Sequence, residues 1–226
     1  MALLGTAALA MWWNVAADVR EEFEHWHSHE HFAERLGIAG FHRGTRWHSA
    51  APDGGIFMMY ELADYAVLSS PDYLRRLNAP TPWSTKMMPH HRGMVRTQCH
   101  VLASRGAGTA GHLASVRLSS VVGSEDRLRA GLDALIERVV GAPGLAGAHL
   151  LRHERPPIAT TTEQKIRGGD AEADWIFIVT AYDASAIDDL LARELGMQAL
   201  QKAGASAGVA AARYTLAHSA TPADVL

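Results

Sequence analysis

Glu-Phe-Glu-His-Trp-His-Ser-His-Glu-His-Phe-Ala-Glu-Arg-Leu-Gly-Ile-Ala-Gly-Phe-His-Arg-Gly, residues 22–44, decides how this chain folds. Apolar residues at helical spacing run to Leu36, and Gly37 and Gly40 stop the helix. From Phe41 the pattern changes to strand alternation. Working outward, the punctuation predicts strand 5–15, helix 17–36, strand 39–49, a turn at 51–55, strand 56–62, helix 64–78 and strand 93–103. A small-residue linker follows at 106–110. The second half then predicts strand 112–120, helix 124–140, strand 144–153, a polar loop 154–173, strand 174–182, helix 184–203 and strand 208–218.

Both halves therefore read β-α-β-β-α-β, the ferredoxin-like unit. Local echoes support a tandem duplication, with Ala39-Gly40-Phe41 answering Pro143-Gly144-Leu145 and Ile56–Met59 answering Ile176–Val179. The expected fold class is α+β, with repeats at 1–105 and 111–226 closing one α/β barrel. Apolar residues at both parities of 56–60 fit a strand covered on two faces. Alternation in 95–101 sets Arg96, Gln98 and His100 opposite Val95, Thr97, Cys99 and Val101, and places Phe41 with Arg43, Thr45 and Trp47. A polar stripe on a covered face suggests a ligand cavity; a solvent-facing sheet gives the same pattern.

Composition removes several function classes. A net charge of −3 with dispersed Arg and Lys carries no nucleic-acid footprint. The single cysteine, Cys99, excludes an internal disulfide framework and fits a reducing compartment; on a strand it reads as packing. No apolar run reaches the length of a membrane span. Met1–Val15 lacks a basic leader region and reads as a first strand, so the expectation is a bacterial cytoplasmic protein, monomer or homodimer, with a small-molecule substrate.

The chemistry concentrates at His25, His27, His29 and His31, interleaved with Glu24, Glu30 and Glu34. At 100° per residue, Phe23, Trp26 and Ala33 share an apolar arc that includes Glu30, while His25, His29 and Phe32 face away. A carboxylate beside imidazoles suits general acid–base work, with His31, Glu30 and His27 moving protons and His42 or His100 opposite. Trp26, Trp83, Tyr60 and Met87 would shape the pocket and Arg92 would bind an oxygen. A structural Glu–His pair anchored to Arg43 or Arg46 is the competing reading. His27-Ser-His-Glu30-His31 also spells H-x-x-E-H, a metal motif lacking its further ligand here. The 80–92 loop reads as a lid or a rigid connector. Lys165 and Arg167 in the 160–169 loop could hold an anion.

The run Glu22-Phe23, Trp26, Glu30-His31, Glu34-Arg35-Leu36, then Gly40-Phe41 and Arg43, resembles dimeric α/β-barrel proteins of the EthD-like and uncharacterised duplicated kinds. Tyr60-Glu61-Leu62, Ser70-Pro71 and Pro80-Thr81-Pro82-Trp83 extend the likeness, and His27 and Ala33 depart from it. The resemblance implies a barrel enzyme. Its chemistry would be cofactor-independent and of lyase, isomerase or dehydratase type on a hydrophobic oxygenated substrate, or alternatively that of a haem-dependent or cofactor-free oxygenase or dehydratase. A haem would take His91, His100 or His31 as its axial ligand. A non-catalytic binder is the remaining class.

Overall fold

The computed structural model describes residues 3–51 and 55–225, so the middle of the expected turn at 51–55 lies outside the described residues. Eight strands are formed: β1 (Ala7–Asn14), β2 (Phe41–Ser49), β3 (Ile56–Leu62), β4 (Arg92–Gly106), β5 (His112–Leu118), β6 (Leu145–His153), β7 (Trp175–Ala181) and β8 (Ala210–Ala220). They close an antiparallel barrel in the order β1-β3-β2-β8-β5-β7-β6-β4. Each half repeats one strand order, β4-β1-β3-β2 and β8-β5-β7-β6. The seams are β2 on β8 and β4 on β6, so the barrel closes within one chain.

The lumen is filled by side chains. Trp12 and Trp47 stack on opposite sides of Phe57 at 4.9 and 5.3 Å, and Met59, Cys99, Leu113, Leu151, Ile176 and Ile178 complete the packing. Arg117 lies over Trp12 at 5.0 Å. Burial pushes the Cys99 thiol up, which keeps it protonated. The expected cavity is therefore not in the lumen.

Helices cover the outside. The first layer holds α1 (Arg20–Trp26), a π turn (His27–His31), α2 (Phe32–Leu36), α3 (Pro71–Asn78) and α4 (Pro82–Met87). The second holds α5 (Glu125–Val139), α7 (Ala184–Ala192) and α8 (Met197–Ala203), while α6 (Thr162–Arg167), from the second half of the chain, packs against α3 in the first layer. Two expected helices break up. The 64–78 segment is a 3₁₀ turn (Tyr65–Ser69) followed by α3, and the 184–203 segment divides into α7 and α8. Loops 80–92 and 154–173 contain α4 and α6, each opened by a threonine whose hydroxyl accepts from the third residue on: Thr81 from Ser84 N–H and Thr161 from Gln164 N–H.

Under the second layer the core is almost wholly apolar: Leu128, Leu132, Leu135 and Ile136 of α5 meet Val116, Leu150, Phe177 and Val179. Under the first, Phe23, Trp26, Phe32, Leu36 and Tyr73 pack on Leu9, Met11, Met58 and Tyr60, but polar groups intrude. No helix among the described residues is long and apolar enough to cross a membrane.

Candidate active site

The histidine segment is the distorted part of its helix. Phe32 N–H donates to the His27 carbonyl, five residues back, forming a π turn. Residues in such a turn advance less around the axis than in an α-helix, so those beyond it are rotated from their α positions. Phe32, expected outward, is fully buried, and Arg35 is carried inward to 3% exposure. His27, His31 and Arg35, spaced at four, thereby face the sheet together.

They line a cavity of about 30 Å³ with Trp13, Tyr60, Tyr73, His91, Arg96, Glu163 and Arg167. That is room for about two water-sized groups. Its far wall is α6, from the second half, tied to the N-terminal half by Thr162 N–H donating to Asn78 at 3.1 Å. Glu163 bonds the Arg35 guanidinium and lies 3.7 Å from Arg167, which itself forms a two-point pair with Asp170 at 3.0 and 2.8 Å. Arg96 donates to the Tyr73 hydroxyl at 2.6 Å. Burial opposes the charge on Arg35, but Glu163 and the neighbouring tyrosines hold its pKa above the ordinary value.

Three imidazoles meet here in the neutral state. Burial, then Arg46, pushes His27 well below the usual histidine range; burial, then Arg35, does the same to His31. His91 is lowered to about 3 by burial and Arg167. His91 Nδ1 lies 2.9 Å from the Met88 carbonyl, which can only accept, so Nδ1 carries the proton and Nε2 keeps its lone pair. His27 Nδ1 accepts from Arg46 at 3.3 Å. Trp13, Phe23 and Trp26 surround the His91 ring at 4.9 to 6.1 Å.

Four residues lining the cavity carry a buried polar atom with no hydrogen-bond partner: Trp13 Nε1, His31 Nδ1, Arg35 Nη1 and Tyr60 OH. Burial raises the Tyr60 pKa strongly, so its hydroxyl stays a donor.

The sequence-expected residues separate into groups. His27, His31 and Tyr60 line the cavity. Glu30 does not join them: its carboxylate accepts from Thr81 Oγ1 at 2.6 Å, Trp26 Nε1 at 3.1 Å and Ser84 Oγ at 3.3 Å, tying the π turn to α4. Trp26 and Met87 are buried behind it, and Trp83 packs edge-on against His25 at 5.4 Å, half-buried. His42 and Arg92 are exposed, and His100 stacks on Tyr65 at 4.1 Å while pairing with Glu154 at 3.0 Å. Neither His42 nor His100 opposes His31, because the register shift between Phe41 and Arg43 breaks the expected β2 alternation, and β4 carries His100 past the end of the cavity. The H-x-x-E-H residues do not converge, since Glu30 turns away, and among the described residues no group of three metal-ligating side chains is formed.

Residues that spacing did not single out include His91 as a base, Arg35, Arg96, Tyr73 and Glu163. The Thr161–Gly169 stretch was the one signal, through Arg167. His91 has the backbone-anchored imidazole that suits a haem ligand. A macrocycle has no room: the cavity is about 30 Å³ and its walls are buried Trp13, Tyr60, Tyr73 and Met88. The residues as packed do not fit haem.

Fold and site define a closed barrel of two ferredoxin-like halves, with a histidine-walled cavity between the first half-sheet and its helices. No family model matches the sequence, and no curated protein matches it. Solved structures do match in fold. An anthrone oxidase-like protein superposes with a TM-score of 0.66 at 11% identity, covering 99% of this chain and 96% of the other. A candidate monooxygenase of Fusobacterium nucleatum gives 0.65 at 8%, covering 97% and 96%. A candidate chlorite dismutase gives 0.52 at 9%, covering 98% of each. At these identities the likeness is one of fold.

Proposed function

We propose that this chain is a small-molecule enzyme working by proton transfer, with no metal or organic cofactor, on a small oxygenated substrate. His91 is the base, through Nε2, and His27 and His31 stand beside it. The observation that carries this is the His91 Nδ1 proton held on the Met88 carbonyl at 2.9 Å, which fixes one tautomer and leaves a neutral lone pair in a donor-lined cavity. Burial, and after it the nearby guanidiniums, keeps the imidazoles neutral; negative charge developing on a substrate oxygen would offset the guanidinium share, so His91 gains basicity as the proton moves. Glu30 acts only as an anchor for the π turn. A lyase or isomerase outcome follows when the proton returns elsewhere on the same substrate. The resemblance to EthD-like proteins, carried by the Glu22-to-Arg43 pattern, supports this reading.

The oxidase and monooxygenase names of the similar folds support a second reading. After His91 takes the proton, the substrate carbanion gives its electrons to dioxygen. The hydroperoxide then loses water, so that a CH₂ group plus O₂ becomes a carbonyl plus H₂O.

The test is solvent deuterium exchange, followed by NMR, at carbon acids next to carbonyls, with small oxo-acids in the panel. His91→Asn keeps a donor for Met88 and removes Nε2; the exchange rate should fall about 100-fold. Retention within a few fold refutes the assignment. Dioxygen uptake on an electrode separates the two readings.

A further inference from the structure

The cavity is built to receive charge as well as a proton. Arg35 is 3% exposed, Tyr60 1% and Trp13 3%, and each carries a buried donor that meets no acceptor. Leaving such donors unpaired costs about 1–3 kcal/mol each, more for a charged one. His31 Nδ1, also buried and partnerless, adds a fourth polar atom to the cavity lining. Charge points the same way. Arg35, Arg96 and Arg167 line the cavity against Glu163, and Asp170 pairs with Arg167, so three guanidiniums face two carboxylates. One positive charge is left over.

We infer that the cavity is a carboxylate subsite, with Arg35 Nη1, Tyr60 OH and Trp13 Nε1 as donors, so that the substrate class is a small oxygenated acid. A carboxylate brings two oxygens and about four acceptor positions, which answers several donors at once; a neutral carbonyl has one oxygen. The cavity of about 30 Å³ admits the carboxylate end of such a molecule and little else. Glu163 positions Arg35 by bonding one face of its fork, leaving Nη1 for the ligand. The counterpart core under the second half-sheet is lined mainly by leucine, isoleucine and valine, and among the described residues it carries one such donor, Trp175 Nε1, in place of three. The substrate class rests on the proton-transfer reading above; the anion site does not.

Formate is the probe. Titrated into the intact protein by calorimetry, with tryptophan fluorescence alongside, formate should bind saturably and formamide should not. Tyr60→Phe removes a hydroxyl that has no partner, so the fold survives; its formate affinity should fall about tenfold or more. Tyr65→Phe, which loses a phenol outside the cavity, should bind as the parent does. Absence of saturable formate binding overturns the subsite, as does equal affinity in Tyr60→Phe or equal binding of formamide. His91→Asn that exchanges normally while formate still binds would sink the proposed reaction and leave the subsite standing.

Discussion

Acidification should unfold this protein steeply at pH values where most carboxylates are still ionised. His27, His31, His91 and His149 are neutral in the folded chain, the last lowered to about 4 by burial. An unfolded histidine titrates near the ordinary value of about 6.5. Between that value and the folded one, the unfolded state binds more protons, so stability is complete above about pH 6.5 and drains away as pH falls. At pH 5 each imidazole neutral in the fold costs about 2 kcal/mol, or about 8 kcal/mol for the four. That approaches the whole stability of an ordinary domain, about 5–15 kcal/mol. His31 and His91, both partly exposed, fall at the low end of their share. Asp170 and Glu172, held low, add the same trend only at more acid pH. Guanidinium melts at a series of pH values should give a slope of about three to four protons taken up on unfolding near pH 5.5. A slope below about one proton would refute the neutral-histidine reasoning. His91→Asn should flatten the slope by one proton.

Other perturbations separate structure from chemistry. Glu163→Gln leaves Arg35 and Arg167 short of their buried counter-charge and should cost about 3–5 kcal/mol in denaturant melts. A Cβ on Gly44 would lie 2.8 Å from the Tyr60 ring and 2.9 Å from Phe32, so Gly44→Ala should destabilise by about 1–3 kcal/mol and disturb formate binding. Glu30→Ala, losing three accepted hydrogen bonds, should lower stability by about 1–3 kcal/mol, with deuterium exchange changed far less than in His91→Asn.

The barrel was legible because its signals are local. Gly40 takes a positive φ of 92° at the entry to β2, and seven consecutive buried residues in β3 are what a strand covered on both faces requires. The site was less legible for two physical reasons. A π turn has no sequence signature, so a 100° wheel put Phe32 outside and Ala33 inside, whereas Phe32 is buried and Ala33 half-buried. Arg35 reads as a surface residue until Glu163, 128 positions away, supplies its counter-charge. His91 sat in a loop with no period at all, and only the fold brings it under Trp13.

The asymmetry between the two helix layers sets a stoichiometry. A barrel assembled from two identical single-unit chains would present two equivalent cavities. Here α5 and the β5–β7 faces fill the second with leucine, isoleucine and valine, and the second half instead lends α6 to wall the first. Titrations should therefore saturate at one equivalent per chain, and substitutions within the α5 core should report on folding while leaving the single site's affinity unchanged.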